Sequence, residues 1–163
     1  APQEVVAPLN GLPTADAAVA TRPAVTVKIE NTRAARPQFG LEHADVVFEE
    51  VVEGGITRLA AVFQSVLPPV IGPVRSVRRT DAGIVTPLQG VFVYSGGAAY
   101  AVASISKAPV VLVDETRAGS AMFRDRSRRA PHNLFARGPL LVGRAPGAVG
   151  PPPALFDTRG MGR

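Results

Sequence analysis

The stretch ADVVFEEVVEGGITRLAAVFQSV, residues 44–66, limits the fold more than any other part of the chain. Two runs rich in β-branched and aromatic residues flank Gly54-Gly55, and adjacent glycines tolerate the positive φ of a tight turn. The stretch therefore reads as a β-hairpin. A helix over Asp45 to Glu53, capped by Asp45, is the competing assignment, and the clusters Val46-Val47-Phe48 and Val51-Val52 favour strand over it.

The flanking segments supply the rest of a sheet. AVTVKIEN, residues 24–31, alternates with Val25, Val27 and Ile29 on one face and reads as a strand. Pro37 and Gly40 then mark a loop, and VLPPVIGP can only be another. A short helix is expected from Ser76 or Thr80 to about Thr86, stopped by Pro87. GVFVYSGG reads as a buried strand ending in a glycine turn. AAYAVASISKA reads as a helix with Ala98, Val102 and Ile105 on one stripe, and PVVLVDE as a second buried strand. From there to Arg144 the pattern is irregular and arginine-rich. A hairpin combined with strand–helix–strand crossovers predicts an α+β fold, a mixed β-sheet with helices packed on it. Residues 1–22 read as an extended N-terminal arm, 23–150 as one α+β domain and 151–163 as a proline-rich linker.

Composition narrows the function classes. With no cysteine among 163 residues, disulfides, thiol nucleophiles and thiolate metal sites are excluded. His43 and His132, the two histidines, lie far apart, so neither a metal nor a cofactor is expected. Residues 1–53 hold 8 acidic and 4 basic side chains, a balance of −4; the remainder holds 5 and 14, a balance of +9, which together make the net +5. Sixteen arginines stand against two lysines, Lys28 and Lys107. Such a field attracts anions. Nucleic acid is not expected as a partner, because lysine clusters, zinc-finger spacing and basic–aromatic interleaving are all missing.

Several constellations could carry chemistry. Arg75, Arg78 and Arg79 share a side if they lie on a helix; if the stretch is extended, Arg78 points away from the other two. Beside a helix start they would hold phosphate, sulfate or carboxylate; as a solvated turn they would pair with Glu49, Glu50 or Glu53. Glu49 and Glu53 could act as an acid–base pair on a helix, about 6 Å apart between Cβ atoms. On a strand they would lie roughly 13 Å apart and serve as counter-charges. Val93, Ser95 and Gly97 fill half of an esterase elbow, and the backbone of Gly96 and Gly97 could contact an oxyanion or simply turn the chain. In FRDRSRRAPHNLFA, His132 lies among arginines that disfavour its protonation, so it could act as a base. Asn133 could orient a ligand, or the pair could belong to a hydrogen-bonded surface loop.

Taken in order, ARPQFGLEHADVVFEEVVEGGITRLAAVFQS, IGPVRSVRR, VFVYSGGA and RAPHNLFA resemble the YerB-like lipoproteins, a bacterial family of undefined function, over roughly Leu9 to Phe156. The family pattern is matched at Asn31, Arg36, Pro37 and Gln38. It is matched again at Glu49, Glu53, Gly54, Gly55, Thr57 and Arg58, at Arg75, Ser76 and Arg78, at Gly96 and Gly97, and at Pro131, His132 and Asn133. Tyr94-Ser95 stands where the family often has His-Ala. The resemblance implies an extracytoplasmic protein of the cell envelope, lipid-anchored through an N-terminal cysteine that this chain lacks. It also implies a second, smaller C-terminal domain as a partner.

The combined expectation is an envelope domain that binds an anionic glycan or phosphate-bearing ligand. The expected ligand groups are Arg36, Arg58, Arg75, Ser76, Arg78, Gly96, Gly97 and Asn133. The alternatives are a hydrolase or transferase of glycan or phosphodiester bonds using Glu49, Glu53 and His132, and a structural assembly module.

Overall fold

The computed structural model describes residues 5–146 and 149–156. A short antiparallel ladder, β1 (Val5–Val6) with β2 (Pro13–Thr14), opens the described chain and leads to a 3₁₀ turn at Ala17–Ala20. The strands that follow are β3 (Val25–Glu30), β4 (Val46–Val51) and β5 (Thr57–Phe63). Helix α1 (Asp81–Leu88), β6 (Val91–Val93), α2 (Ala99–Ile105) and β7 (Val111–Val113) come next. After them come α3 (Glu115–Ala118), β8 (Met122–Arg124), β9 (Leu134–Ala136) and α4 (Gly138–Val142).

β3 to β7 form one mixed sheet in the order β4-β5-β3-β6-β7. The hairpin β4–β5 is antiparallel with Val46 opposite Val62 and Val51 opposite Thr57, and Gly54 and Gly55 take φ of +76° and +69° in its turn. β3 is antiparallel to β5 but parallel to β6, which is parallel to β7. The expected α+β architecture is therefore present, with the hairpin forming one edge and the crossovers the other.

β3 is central, and all six of its residues are buried. Val25, Val27 and Ile29 pack with Leu59, Ala61, Phe63, Val91 and Val93 in a core that also takes Ala118, Met122, Leu134 and Leu141 from the C-terminal elements. On the opposite face Val85 of α1 and Ala101 and Ile105 of α2 pack over Phe92 and Tyr94.

Several local expectations need correction. α1 runs through Pro87 to Leu88, because a proline in the last turn forfeits one backbone bond and the helix ends a residue later. The buried stripe of α2 is Ala101 with Ile105, and Ala98 is exposed before the helix begins. The segment after β7 is ordered: β8 and β9 pair antiparallel, with Phe123 opposite Phe135. The N-terminal arm is folded rather than extended, burying Ala7, Leu9 and Val19. Leu155 of the proline-rich tail packs on the cluster of Leu9, Ala24, Val62 and Leu88. Residues 1–4 of the arm and 157–163 of the tail lie outside the described residues.

Candidate functional site

The polar face of β3 carries the charges. Residues alternate across a strand, so Thr26, Lys28 and Glu30 point away from the valine face, and all three are buried. Register then places charges side by side: Glu30 of β3 is opposite Arg58 of β5, and Arg58 is opposite Glu50 of β4. Lys28 is opposite Ala60, whose small side chain leaves room for the lysine to reach sideways.

Lys28 is 0% exposed and pairs with two carboxylates, Glu50 and Asp81. Its Nζ donates to Asp81 Oδ1 at 2.8 Å. Asp81 Oδ2 accepts the Arg78 backbone N–H at 2.6 Å, so the start of α1 is occupied by its own buried aspartate. Burial lowers the proton affinity of Lys28, and Asp81 opposes this.

Arg75 to Arg78 do not lie on a helix. The segment is extended and fills the crevice at the carboxyl ends of β3 and β6. Arg75 N–H donates to Lys28 O, Ser95 N–H to Arg75 O, and Val77 N–H to Gly96 O, at 2.9, 2.9 and 3.0 Å. The Ser76 carbonyl accepts Nη1 of both Arg58 and Arg78, at 3.1 and 3.5 Å. Arg78 also forks onto Glu53 Oε2 through Nε and Nη2, at 3.1 and 2.9 Å. Burial, then the Arg78 and Arg75 charges, make Arg58 less hospitable to its proton than an ordinary guanidinium. Arg79 is exposed.

Glu30 joins this network to the distal loop. Its side chain is 2% exposed, its Oε1 accepts Thr32 Oγ1 at 2.7 Å, and Arg75 Nε lies 3.5 Å from its Oε2. His132 Nδ1 sits 2.9 Å from both carboxylate oxygens. The imidazole, 27% exposed, lines a cavity of about 580 Å³ together with Ala34, Arg36, Arg128, Arg129 and Ala130. Arg128 braces the cavity: its Nη1 and Nη2 donate to the carbonyls of Ala35 and Pro37 at 3.1 and 2.7 Å. Arg36 and Arg129 are exposed.

The expected site residues thus fall into separate groups. Arg58, Arg75, Ser76 and Arg78 converge and connect through Glu30 to His132, and Arg36 reaches the same cavity as His132. Glu49 lies elsewhere, at the end of a hydrogen-bonded chain: Gln38 donates to Asn31 at 3.0 Å, Asn31 to Thr57 at 2.8 Å, and Thr57 to Glu49 at 2.7 Å. Because β4 is a strand, Glu49 and Glu50 face opposite ways, and no Glu49–Glu53–His132 set is assembled. Asn133 is spent inside its own hairpin, accepting Arg124 Nη1 at 2.9 Å and donating to Asp125 O at 3.3 Å. Gly96 turns the chain at φ +64°, and a Cβ on Gly97 would meet Val77 Cγ1 at 2.6 Å, so these glycines permit close packing. Ser95 Oγ donates to Glu115 Oε1 at 2.6 Å. Sequence reasoning named Glu50 only as a counter-charge for arginines and missed Lys28, Glu30 and Asp81; for Lys28 and Glu30, a charged residue alternating with valines in a central strand was the available signal.

Comparison with known proteins gives concordant results. Residues 9–148 match the family described as "Protein of unknown function (DUF3048) N-terminal domain". The "Putative lipoprotein YerB" of Bacillus subtilis (strain 168) is 35% identical over 134 residues. That match takes in 82% of this chain but 40% of the relative's length. The crystal structure of the YerB protein from Bacillus subtilis superposes with a TM-score of 0.84 at 32% identity, covering 95% of this chain and 55% of that one.

Proposed function

Because the chain belongs to the family described as the DUF3048 N-terminal domain, in which one relative bears the name of a lipoprotein, we propose that it is a cell-envelope domain that binds an anionic ligand in the His132 cavity. The observation that carries this reading is the cavity wall. Arg36, Arg128, Arg129 and His132 line it with alanines, and among the described residues no carboxylate lines it. The half-buried Arg75 and Arg78 behind it are answered by Glu30 and Glu53, whereas the exposed Arg36 and Arg129 at the mouth have no ion-pair partner among the described residues and suit a two-pronged grip on phosphate or carboxylate.

Sulfate and inorganic phosphate, titrated calorimetrically at low and moderate salt, test the reading. Arg36→Ala and Arg129→Ala are each expected to weaken binding about tenfold, as for loss of one charge-assisted contact. Binding that is absent, or indifferent to both substitutions, refutes it. Loss of every anion's affinity with added salt reduces the effect to general charge attraction.

A second reading rests on one contact. A buried carboxylate holding Nδ1 of a histidine fixes the ring and its tautomer, which leaves Nε2 to accept a proton. In an envelope hydrolase, that nitrogen would take the proton of the attacking water. Bis(p-nitrophenyl) phosphate is a suitable probe: turnover abolished by His132→Asn and Glu30→Gln supports an enzyme, and turnover unaffected by either refutes it.

A further inference from the structure

Arg128 lines one cavity and packs on the aromatic wall of another. On one side its guanidinium lines the arginine-rich cavity beside His132. On the other it lies over the rings of Phe39 and Phe135, 5.5 and 5.2 Å from their centroids. Those rings, with Val70, Phe123 and Asp125, line a second cavity of about 240 Å³. Two of its walls are accessible: Phe39 is 43% exposed and Phe123 half-buried. Phe39 meets Phe135 edge to face at 5.7 Å, and Phe123 lies 6.0 Å from the same ring.

Resting on the anion-binding reading above, we infer that the two cavities hold one ligand, a sugar ring bearing a phosphate or carboxylate, with the anionic group beside Arg36, Arg129 and His132 and the ring against Phe39 and Phe123. Two chemical features fix this orientation. The C–H face of a sugar is apolar and seats on aromatic surface, while its hydroxyls need acceptors at the rim. Asp125 supplies one: Ser127 N–H and Oγ both bind Oδ1, at 2.8 and 2.6 Å, and Oδ2 has no partner among the described residues. The Ser127 bonds hold the Asp125 carboxyl below its ordinary range, so it is an ionised acceptor at neutral pH. That charge also repels an anion from the aromatic side, which confines the anionic group to the arginine side. Arg128 spends two of its five N–H donors on Ala35 and Pro37, and the other three have no hydrogen-bond partner among the described residues.

Four probes separate this inference from the reading beneath it: inorganic phosphate, glycerol 3-phosphate, glucose 1-phosphate and N-acetylglucosamine 1-phosphate, each titrated calorimetrically into the chain. At least one hexose phosphate is expected to bind about tenfold tighter than glycerol 3-phosphate, the size of one ring-stacking contact. Phe39→Ala and Asp125→Asn are each expected to erase that preference while changing inorganic phosphate affinity less than twofold. Asn retains an oxygen for Ser127, so the second variant keeps the loop intact if the first perturbs folding. If phosphate binds but neither hexose phosphate is preferred, or if the preference survives both variants, the shared ligand is refuted and the anion site stands. If no phosphate binds at all, the anion site fails and this inference with it.

Discussion

Replacing Lys28 by methionine isolates the cost of the charges beneath the site. The two side chains are similar in length, so K28M removes the ammonium with little change in packing. What remains is unequal. Asp81 keeps the Arg78 backbone N–H on Oδ2, whereas Glu50 has Lys28 as its one ion-pair partner among the described residues. Breaking a buried pair from one side costs about 3–5 kcal/mol, a large part of the ~5–15 kcal/mol that holds a domain together. At about 2–4 °C per kcal/mol for a chain of this size, the melting temperature should fall by ~6–20 °C. Urea unfolding at neutral pH measures the loss directly. Two controls identify its origin: Glu50→Leu in the K28M background should recover much of the deficit, and the deficit should narrow in acid, where a protonated carboxyl needs no counter-charge. A K28M protein within about 1 kcal/mol of the parent at neutral pH, where surface changes fall, would refute the reasoning.

Two further outcomes follow from the geometry. Gly90 sits at φ +77°, and an added Cβ would overlap the Ala24 carbonyl oxygen, so Gly90→Ala should destabilise by more than about 2 kcal/mol in the same unfolding assay. Glu53 is held below its ordinary value of 4.5 first by its own backbone N–H and then by Arg78, and a depressed carboxyl stabilises the fold above its unfolded value and loses that contribution as pH falls through the folded one. The melting temperature of the parent should therefore exceed that of Glu53→Gln at neutral pH, and the difference should close as pH drops below about 4.5.

What could be read from the sequence divides along a physical line. The hairpin was legible because its signals are local: β-branched runs, and two glycines where positive φ is needed. The extent of α1 was misjudged because proline stops a helix only when its missing N–H and its ring conflict with a continuing turn, and at Pro87 the helix was already ending. The site was only half legible. Arg58, Arg75, Arg78 and His132 stood out as charges, and Glu53 as a partner for the arginines, but Glu30 did not. A period-two pattern divides AVTVKIEN into an apolar face and a polar one, and on its own it assigns Thr26, Lys28 and Glu30 to water. Strand order reverses that assignment. Once β3 lies between β5 and β6 with helices over its polar face, Lys28 and Glu30 are removed from solvent, and each would cost several kcal/mol unless paired. A central strand of this kind therefore demands opposite charges at matching register on its neighbours. Arg58, Glu50 and Asp81 meet that demand with charge and His132 with a hydrogen bond to Glu30, and two of the four, Asp81 and His132, come from segments that sequence distance separates from β3 by fifty residues or more.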